Sequence, residues 1–299
     1  MERVSTAGLG QALLRSAMTV QARLADRQTA QASGLKQETY AALGADSGKL
    51  ISLESQLSRL QGRSDTAQTA LDRTEAMTSA VGSMVDLVSE MRTTLSEMST
   101  QSSDSVDYNQ VGETMLADLA ELMNLQMDGR YLFGGGQTTS APVDVSLLTA
   151  VTTVPSTADT SYYLGDDTVQ SAKVSDQAGV DYGVNANESG FEKALRTANI
   201  LANIDPDDAD AIAEAYDLAT EAMDELLAAQ GRLGVNSGRL ESYQQQQDTA
   251  ISLIGERISD MKAVDVAQVT VEISQYETTL EASYAVLGKI SKLSLVDYL

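Results

Sequence analysis

Between Leu50 and Leu95, positions stepping alternately by three and four residues read Leu50, Leu53, Leu57, Leu60, Ser64, Ala67, Leu71, Thr74, Thr78, Val81, Val85, Val88, Arg92 and Leu95. Ten of the fourteen are apolar and no proline interrupts them. A sustained 3.5-residue repeat draws one narrow apolar stripe along a helix, which is the seam of a coiled coil. At about 1.5 Å per residue the stretch is roughly 70 Å long, more than a compact globule uses. A second stripe, Val269, Ile273, Tyr276, Leu280, Ser283, Leu287 and Ile290, has the same spacing near the C-terminus. Two such stripes in opposite halves of one chain pair if the chain turns back on itself. The expected fold is mainly α: an elongated antiparallel coiled-coil rod formed by the N- and C-terminal halves, with a small β-rich insert between them.

Composition places the boundaries. Residues 1 to about 135 and about 190 to 299 are rich in Ala, Leu, Met, Gln and Glu. The middle carries Val, Thr, Tyr, Gly and Asp in short alternating runs, the chemistry of strands and turns. We therefore expect an amphipathic assembly segment over 1–40, a helical rod over 41–136, an exposed β-rich insert over 137–188, a second rod segment over 189–284 and a closing amphipathic segment over 285–299. Within the insert, Gly165-Asp166-Asp167 reads as a turn between strands and 180–186 as a further strand. Val111, Met115, Leu119 and Leu122 line a helix whose C-cap would be Gly129. Ser189 through Glu192 has the spacing of a capping box, and Asp205-Pro206 that of an N-cap before a first-turn proline. The helix that follows would present Ile212, Tyr216, Ala219, Met223 and Leu226 on one side.

The chain holds 43 acids against 20 bases, a net charge of −23, and has no His, no Cys and no Trp. Such a charge repels phosphate backbones and anionic bilayers, so neither nucleic acid nor membrane is expected as a partner. Imidazole general bases, thiol nucleophiles, disulfides and thiolate metal sites are excluded by composition. No run of 18 apolar residues occurs, and the opening residues lack the apolar core and cleavage site of a Sec signal peptide. We expect no catalytic residue, no metal site and no cofactor.

The local motifs agree with that expectation. Counted from Asp205, an EF-hand loop needs Gly at its sixth position and Glu at its twelfth, where this chain has Asp210 and Tyr216. Gly134-Gly135-Gly136 is followed by no Lys-Ser or Lys-Thr, so it reads as a flexible exit from a helix and not as a phosphate cradle. Met77, Met84, Met91 and Met98 recur every seven residues beside the seam and read as gap-filling core contacts.

The two ends are electrically distinct from the body. The first forty residues carry five bases and three acids, a balance of +2, which leaves −25 to the rest. Leu9, Leu13, Ala17, Val20 and Leu24 make an amphipathic face there. Leu287, Ile290, Leu293, Leu295, Val296 and Leu299 crowd the last fifteen residues. Terminal segments fray unless docked. Apolar ends on an acidic body therefore point to partners, with Leu9, Leu13, Val20, Leu24, Leu287, Ile290, Leu293, Leu295 and Leu299 as the expected interface.

Several stretches coincide with a known family. Asp128-Gly-Arg-Tyr-Leu-Phe-Gly-Gly135 resembles the "GRYLFGG" segment of flagellins and of the hook-associated proteins at the hook–filament junction. Gly231-Arg-Leu-Gly-Val-Asn-Ser-Gly-Arg-Leu-Glu241 is similar to a turn that they share. The ending Leu293-Ser-Leu-Val-Asp-Tyr-Leu299 and the opening Met1-Glu-Arg-Val-Ser-Thr6 resemble junction proteins more than flagellins. The likeness spans both helical halves. It departs at Ser33-Gly34-Leu35-Lys36, where the family pattern has Ser-Gly-Lys-Arg.

The resemblance implies a structural protein of the bacterial flagellum, exported unfolded by the type III route without a Sec signal. It implies a homo-oligomeric ring joined to a neighbouring hook-associated protein and to flagellin, with an export chaperone on the C-terminal region beforehand and an extracellular location afterwards. The alternatives are a flagellin, a secreted enzyme with a carboxylate site converging on Asp144, Asp159, Asp166 and Asp181, and a cytosolic coiled-coil signalling rod.

Overall fold

A computed structural model describes residues 6–36, 46–99, 106–176 and 178–296. The chain divides into two compact units, one of residues 1–58 with 251–299 and one of residues 59–250. The fold is mainly α, with two small two-stranded sheets.

The first unit is built on α1 (Thr6–Ser33) and α6 (Val266–Val296), which pack together antiparallel. Arg27 pairs with Glu272 at 2.9 Å, and the Gln31 amide donates to the Thr270 hydroxyl at 3.0 Å. Ala17 and Ala30 on α1 are buried, with Leu13, Val20 and Leu24 half-buried on the same face. Val269, Ile273 and Leu280 on α6 are buried, with Tyr276, Ser283 and Leu287 half-buried beside them. Helix α1 stops because Gly34 takes a left-handed φ of +71°, and its N–H closes on the Ala30 carbonyl at 2.9 Å. The chain is then tied to the junction between α5 (Ala209–Lys262) and α6. The Lys36 N–H donates to the Lys262 carbonyl at 2.7 Å and the Val264 N–H to the Gly34 carbonyl at 2.9 Å. Asp265 caps α6 by accepting from the Ala267 and Gln268 N–H groups.

In the second unit, α2 (Ser47–Met98) from Arg59 onward runs antiparallel to α5 as far as Ala250. The side chains of α2 at 64, 68 and 92 meet Asp248, Gln244 and Tyr216, and its Thr78 carbonyl accepts from the Gln230 amide. From Ala67 onward the deepest line on α2 is Ala67, Ala70, Thr74, Met77, Val81, Met84, Val88, Met91, Leu95 and Met98, every one buried. Its four methionines belong to one continuous core with Leu119, Leu195, Ala219, Leu226 and Leu233. Val85 and Arg92 flank that line and are half-buried. Helices α3 (Tyr108–Met123) and α4 (Ser189–Asn203) pack against each other at a backbone-to-backbone approach. A Cβ at Gly112 would lie 2.4 Å from the Ala202 nitrogen.

The insert contains less strand than its composition suggests. Its strands are β3 (Ser171–Lys173) and β4 (Gly179–Asp181), paired antiparallel with Ala172 opposite Val180. Alternation buries Ala172 and Val180 against Ala67, Ala70, Leu71 and Leu240. The remainder is loop with one short 3-10 helix at Val145–Leu147, anchored by the buried Tyr162, whose hydroxyl donates to the Ala186 carbonyl at 2.8 Å, and by Phe133 tilted against Phe191 at 5.9 Å. Loops can be ordered without strands when side chains supply the backbone partners.

Four local expectations are corrected. Helix α3 ends at Met123 and Asn124, so Gly129 is not its cap. Asp128 (φ 53°) and Gly129 (φ 72°) form instead the two-residue turn of a hairpin joining β1 (Gln126–Met127) to β2 (Arg130–Tyr131), because paired positive φ values match the twist of the strands. The capping box at Ser189 does not form. Glu192 accepts from the Asp159 N–H at 3.1 Å, a tertiary contact that outcompetes the local one. The cap of α5 is Asp208, which accepts from Asp210 and Ala211 at 3.1 Å each, while Asp205 closes the preceding turn. The segment Gly231–Glu241 is helical throughout, inside α5, and is not a turn. Packing along α5 overrides three glycines that each cost about 1 kcal/mol in a helix.

Candidate assembly surface

On α1 and α6 the inward stripes account for only part of the apolar surface. Leu9, Leu14 and Met18 on α1 are exposed, Met18 at 59%. With 3.6 residues per turn, Leu14 and Met18 lie on one flank of the Leu13–Ala17–Val20–Leu24 stripe and Leu9 on the other. On α6, Val271 is 58% exposed, and Val286 stands with it on the side away from the inward stripe, while Tyr284 is exposed beside that stripe. Scattered single exposed apolar side chains are ordinary, and the seven along this helix pair, with Val266 of α6 at 50%, are a candidate contact surface. Sequence reading missed Leu14, Met18, Val271, Tyr284 and Val286 because it followed one periodic stripe per helix. The signal was present in the doubled apolar positions, such as Leu13-Leu14, on either side of that stripe.

Of the expected interface residues, Leu9 is exposed, while Leu13, Val20, Leu24 and Leu287 face the α1–α6 contact. Ile290, Leu293 and Leu295 lie on the backbone of α6, with side chains outside the described residues, and Leu299 is outside them altogether. Of the seam residues, Leu50, Leu71, Val81, Val88, Leu95, Val269, Ile273 and Leu280 are buried. Leu53, Leu57, Leu60, Val85 and Tyr276 are half-buried.

Three of the insert's acids serve its own backbone. Asp144 accepts from the Ser146 N–H and hydroxyl, and those bonds hold its carboxyl below the usual range. Asp159 accepts from the Ser161 and Thr149 N–H groups and is lowered likewise, first by Ser161. Asp166 accepts from the Gly136 N–H at 2.8 Å and the Thr168 N–H at 2.9 Å, which lowers its carboxyl too. Gly134-Gly135-Gly136 is therefore the bed of a carboxylate from the same chain. Only a glycine fits at 135, where φ is +66° and a Cβ would stand 2.3 Å from the Asp166 carbonyl oxygen. Asp181 sits in β4. The first three are each committed to a different turn and Asp181 lies on a strand apart from them, which is not the paired geometry of acid–base catalysis.

One buried carboxylate behaves differently. Burial pushes Glu192 upward, against the opposing pull of the Asp159 N–H and of Arg196, whose Nε lies 3.3 Å away. With Asn199, which donates to the Thr149 carbonyl at 2.9 Å and accepts from the Val151 N–H at 3.2 Å, it fastens the loop 149–159 onto α4. Among the described residues, no group of three or more acidic side chains is placed to hold a metal ion, and no helix is long and apolar enough to cross a membrane.

Residues 216–299 match the family model of the bacterial flagellin C-terminal helical region. No curated protein matches the chain. Among solved structures the fold is similar to one assigned as a flagellar hook-associated protein from Vibrio parahaemolyticus, with a TM-score of 0.55 and 15% identity. The likeness covers 73% of this chain and 97% of that one.

Proposed function

From the premise that this chain carries a flagellin C-terminal helical region on the fold of a flagellar hook-associated protein, we propose that it joins the hook to the filament. Its part in the flagellum is structural. The joining is done by the helices of the first unit, which form a homo-oligomeric ring in contact with a neighbouring hook-associated protein on one side and flagellin on the other. A chaperone holds the C-terminal region before type III export, and the mature protein resides outside the cell. The single observation that carries this reading is the apolar surface left exposed on α1 and α6 after those helices have packed together. Covering it gains about 25 cal/mol per Å² of apolar area, and that gain must exceed the conformational freedom lost on docking.

A flagellin is the second reading, and the matched C-terminal family model favours it as much as it favours the first. Electron microscopy of the purified chain mixed with isolated hooks separates the two. Addition confined to hook ends supports a junction protein. Long filaments grown from the chain alone support a flagellin, and binding to neither overturns the assembly reading.

A further inference from the structure

Among the described residues one methionine is exposed, Met18 on α1, at 59%. Met77, Met84, Met91, Met98, Met115 and Met123 are buried together in the core of the second unit, and Met127, Met223 and Met261 are half-buried. The Met223 sulfur also accepts a hydrogen bond from Arg92 Nη1 at 3.5 Å, which engages a lone pair that an oxidant would need. A thioether is oxidised where solvent reaches it, and the sulfoxide sets a polar acceptor in place of an apolar group. The chain therefore confines this chemistry to one position.

That position lies on the apolar surface of α1. Leu14 stands one helical turn before Met18 on the same flank and is also exposed. The contact of α1 with α6 is carried by the stripe Leu13, Ala17, Val20 and Leu24, which passes beside Met18 and not through it. A change at the sulfur thus leaves the helix pair intact and alters what the pair presents outward. We propose that Met18 is a redox modification site, through which a peroxide withdraws this chain from assembly. A sulfur lone pair attacks one oxygen of hydrogen peroxide, the O–O bond breaks, a sulfur–oxygen bond forms and the second oxygen leaves as water. The sulfur gives up two electrons and the peroxide takes them. Docking must then bury the sulfoxide oxygen among apolar groups without a donor, so the oxidised chain is excluded. Once docked, the sulfur is covered, so undocked copies are the ones that react. This switch rests on the assembly role proposed above and adds a chemical condition under which assembly stops.

The test treats the folded, full-length chain with hydrogen peroxide, removes the peroxide with catalase and measures sulfoxide at each methionine by peptide mass spectrometry. Addition of the chain to isolated hooks, or to itself, is then compared before and after treatment in the wild type and in Met18→Leu. Met18 should oxidise at least about tenfold faster than Met77, Met84 and Met91. Addition should weaken by roughly tenfold or more as the Met18 sulfoxide accumulates, with the melting temperature unchanged. In Met18→Leu, peroxide should leave the variant's own level of addition unaltered. Faster oxidation at any other described methionine, or undiminished addition by chain fully oxidised at Met18, would overturn the proposal and leave the assembly role standing. So would a peroxide-dependent loss in Met18→Leu as large as in the wild type. Untreated chain that adds neither to hooks nor to itself fails the assembly role, and the switch falls with it.

Discussion

The Gly136 N–H donates to Asp166 Oδ1 at 2.8 Å, across thirty residues of chain. With the Thr168 N–H on the same oxygen, this contact fastens the glycine-rich end of the β1–β2 region to the loop before β3. The bonds depress the Asp166 carboxyl below its ordinary 3.8, the Gly136 bond first. A lowered carboxyl contributes stability that is present above the unfolded value and is lost as pH falls through the folded one. Asp166→Asn should therefore melt below the wild type at neutral pH. The gap should close as the medium is acidified past 3.8, as melting curves across that range would show.

Glu192 carries the opposite sign. Its folded value is raised by burial, so the stability tied to its proton is present below the ordinary 4.5 and is lost as pH rises through the folded value. Glu192→Gln should equal or exceed the wild type in melting temperature at neutral pH and lose that advantage near pH 4.5. A variant less stable at neutral pH than in acid, relative to wild type, would contradict this assignment.

Glycine-to-alanine changes should split by environment. At Gly112 the new Cβ would meet the Ala202 backbone at 2.4 Å, so α3 and α4 must separate. Gly112→Ala should cost about 1–3 kcal/mol in denaturant unfolding. At Gly231, exposed inside α5 with nothing within 4 Å of a Cβ, the same change should stabilise by about 0.5–1 kcal/mol. Equal effects at the two positions would refute the backbone-contact explanation.

Two methionines at comparable helical positions should behave differently. Met84 is wholly buried in the α2–α5 core, so Met84→Ala should cost roughly 2–5 kcal/mol. Met18 is exposed, so Met18→Ala should leave the unfolding midpoint within about 0.5 kcal/mol of wild type. Chemical denaturation of both variants checks this.

The helices were legible in the sequence because Leu50–Leu95 and Val269–Leu287 repeat over many turns, and long periodicity survives single exceptions such as Ser64 and Arg92. The finer register was not. Valine and methionine both sit at heptad spacing, and only the packing of α5 against α2 decides that Met84 and Met91 lie deeper than Val85 and Arg92. Caps are hidden for a related reason: Glu192 and Asp205 satisfy local patterns, yet the backbone of a distant loop claims the first and Asp208 lies closer to the start of α5. The role of Gly134–Gly136 was hidden because its partner, Asp166, is contributed from thirty residues away. Nothing local distinguishes a bed for a carboxylate from a loose hinge.

In the proposed junction, the exposed apolar groups of α1 and α6 join this chain to its neighbours. That role is read from the share of flagellin found in the culture medium when a strain lacking the chain is complemented with the triple variant Leu9→Ser, Leu14→Ser, Met18→Ser. The variant should be exported and folded, with cells that carry hooks without filaments and flagellin shed into the medium. Filaments of normal number and length on those cells would contradict it.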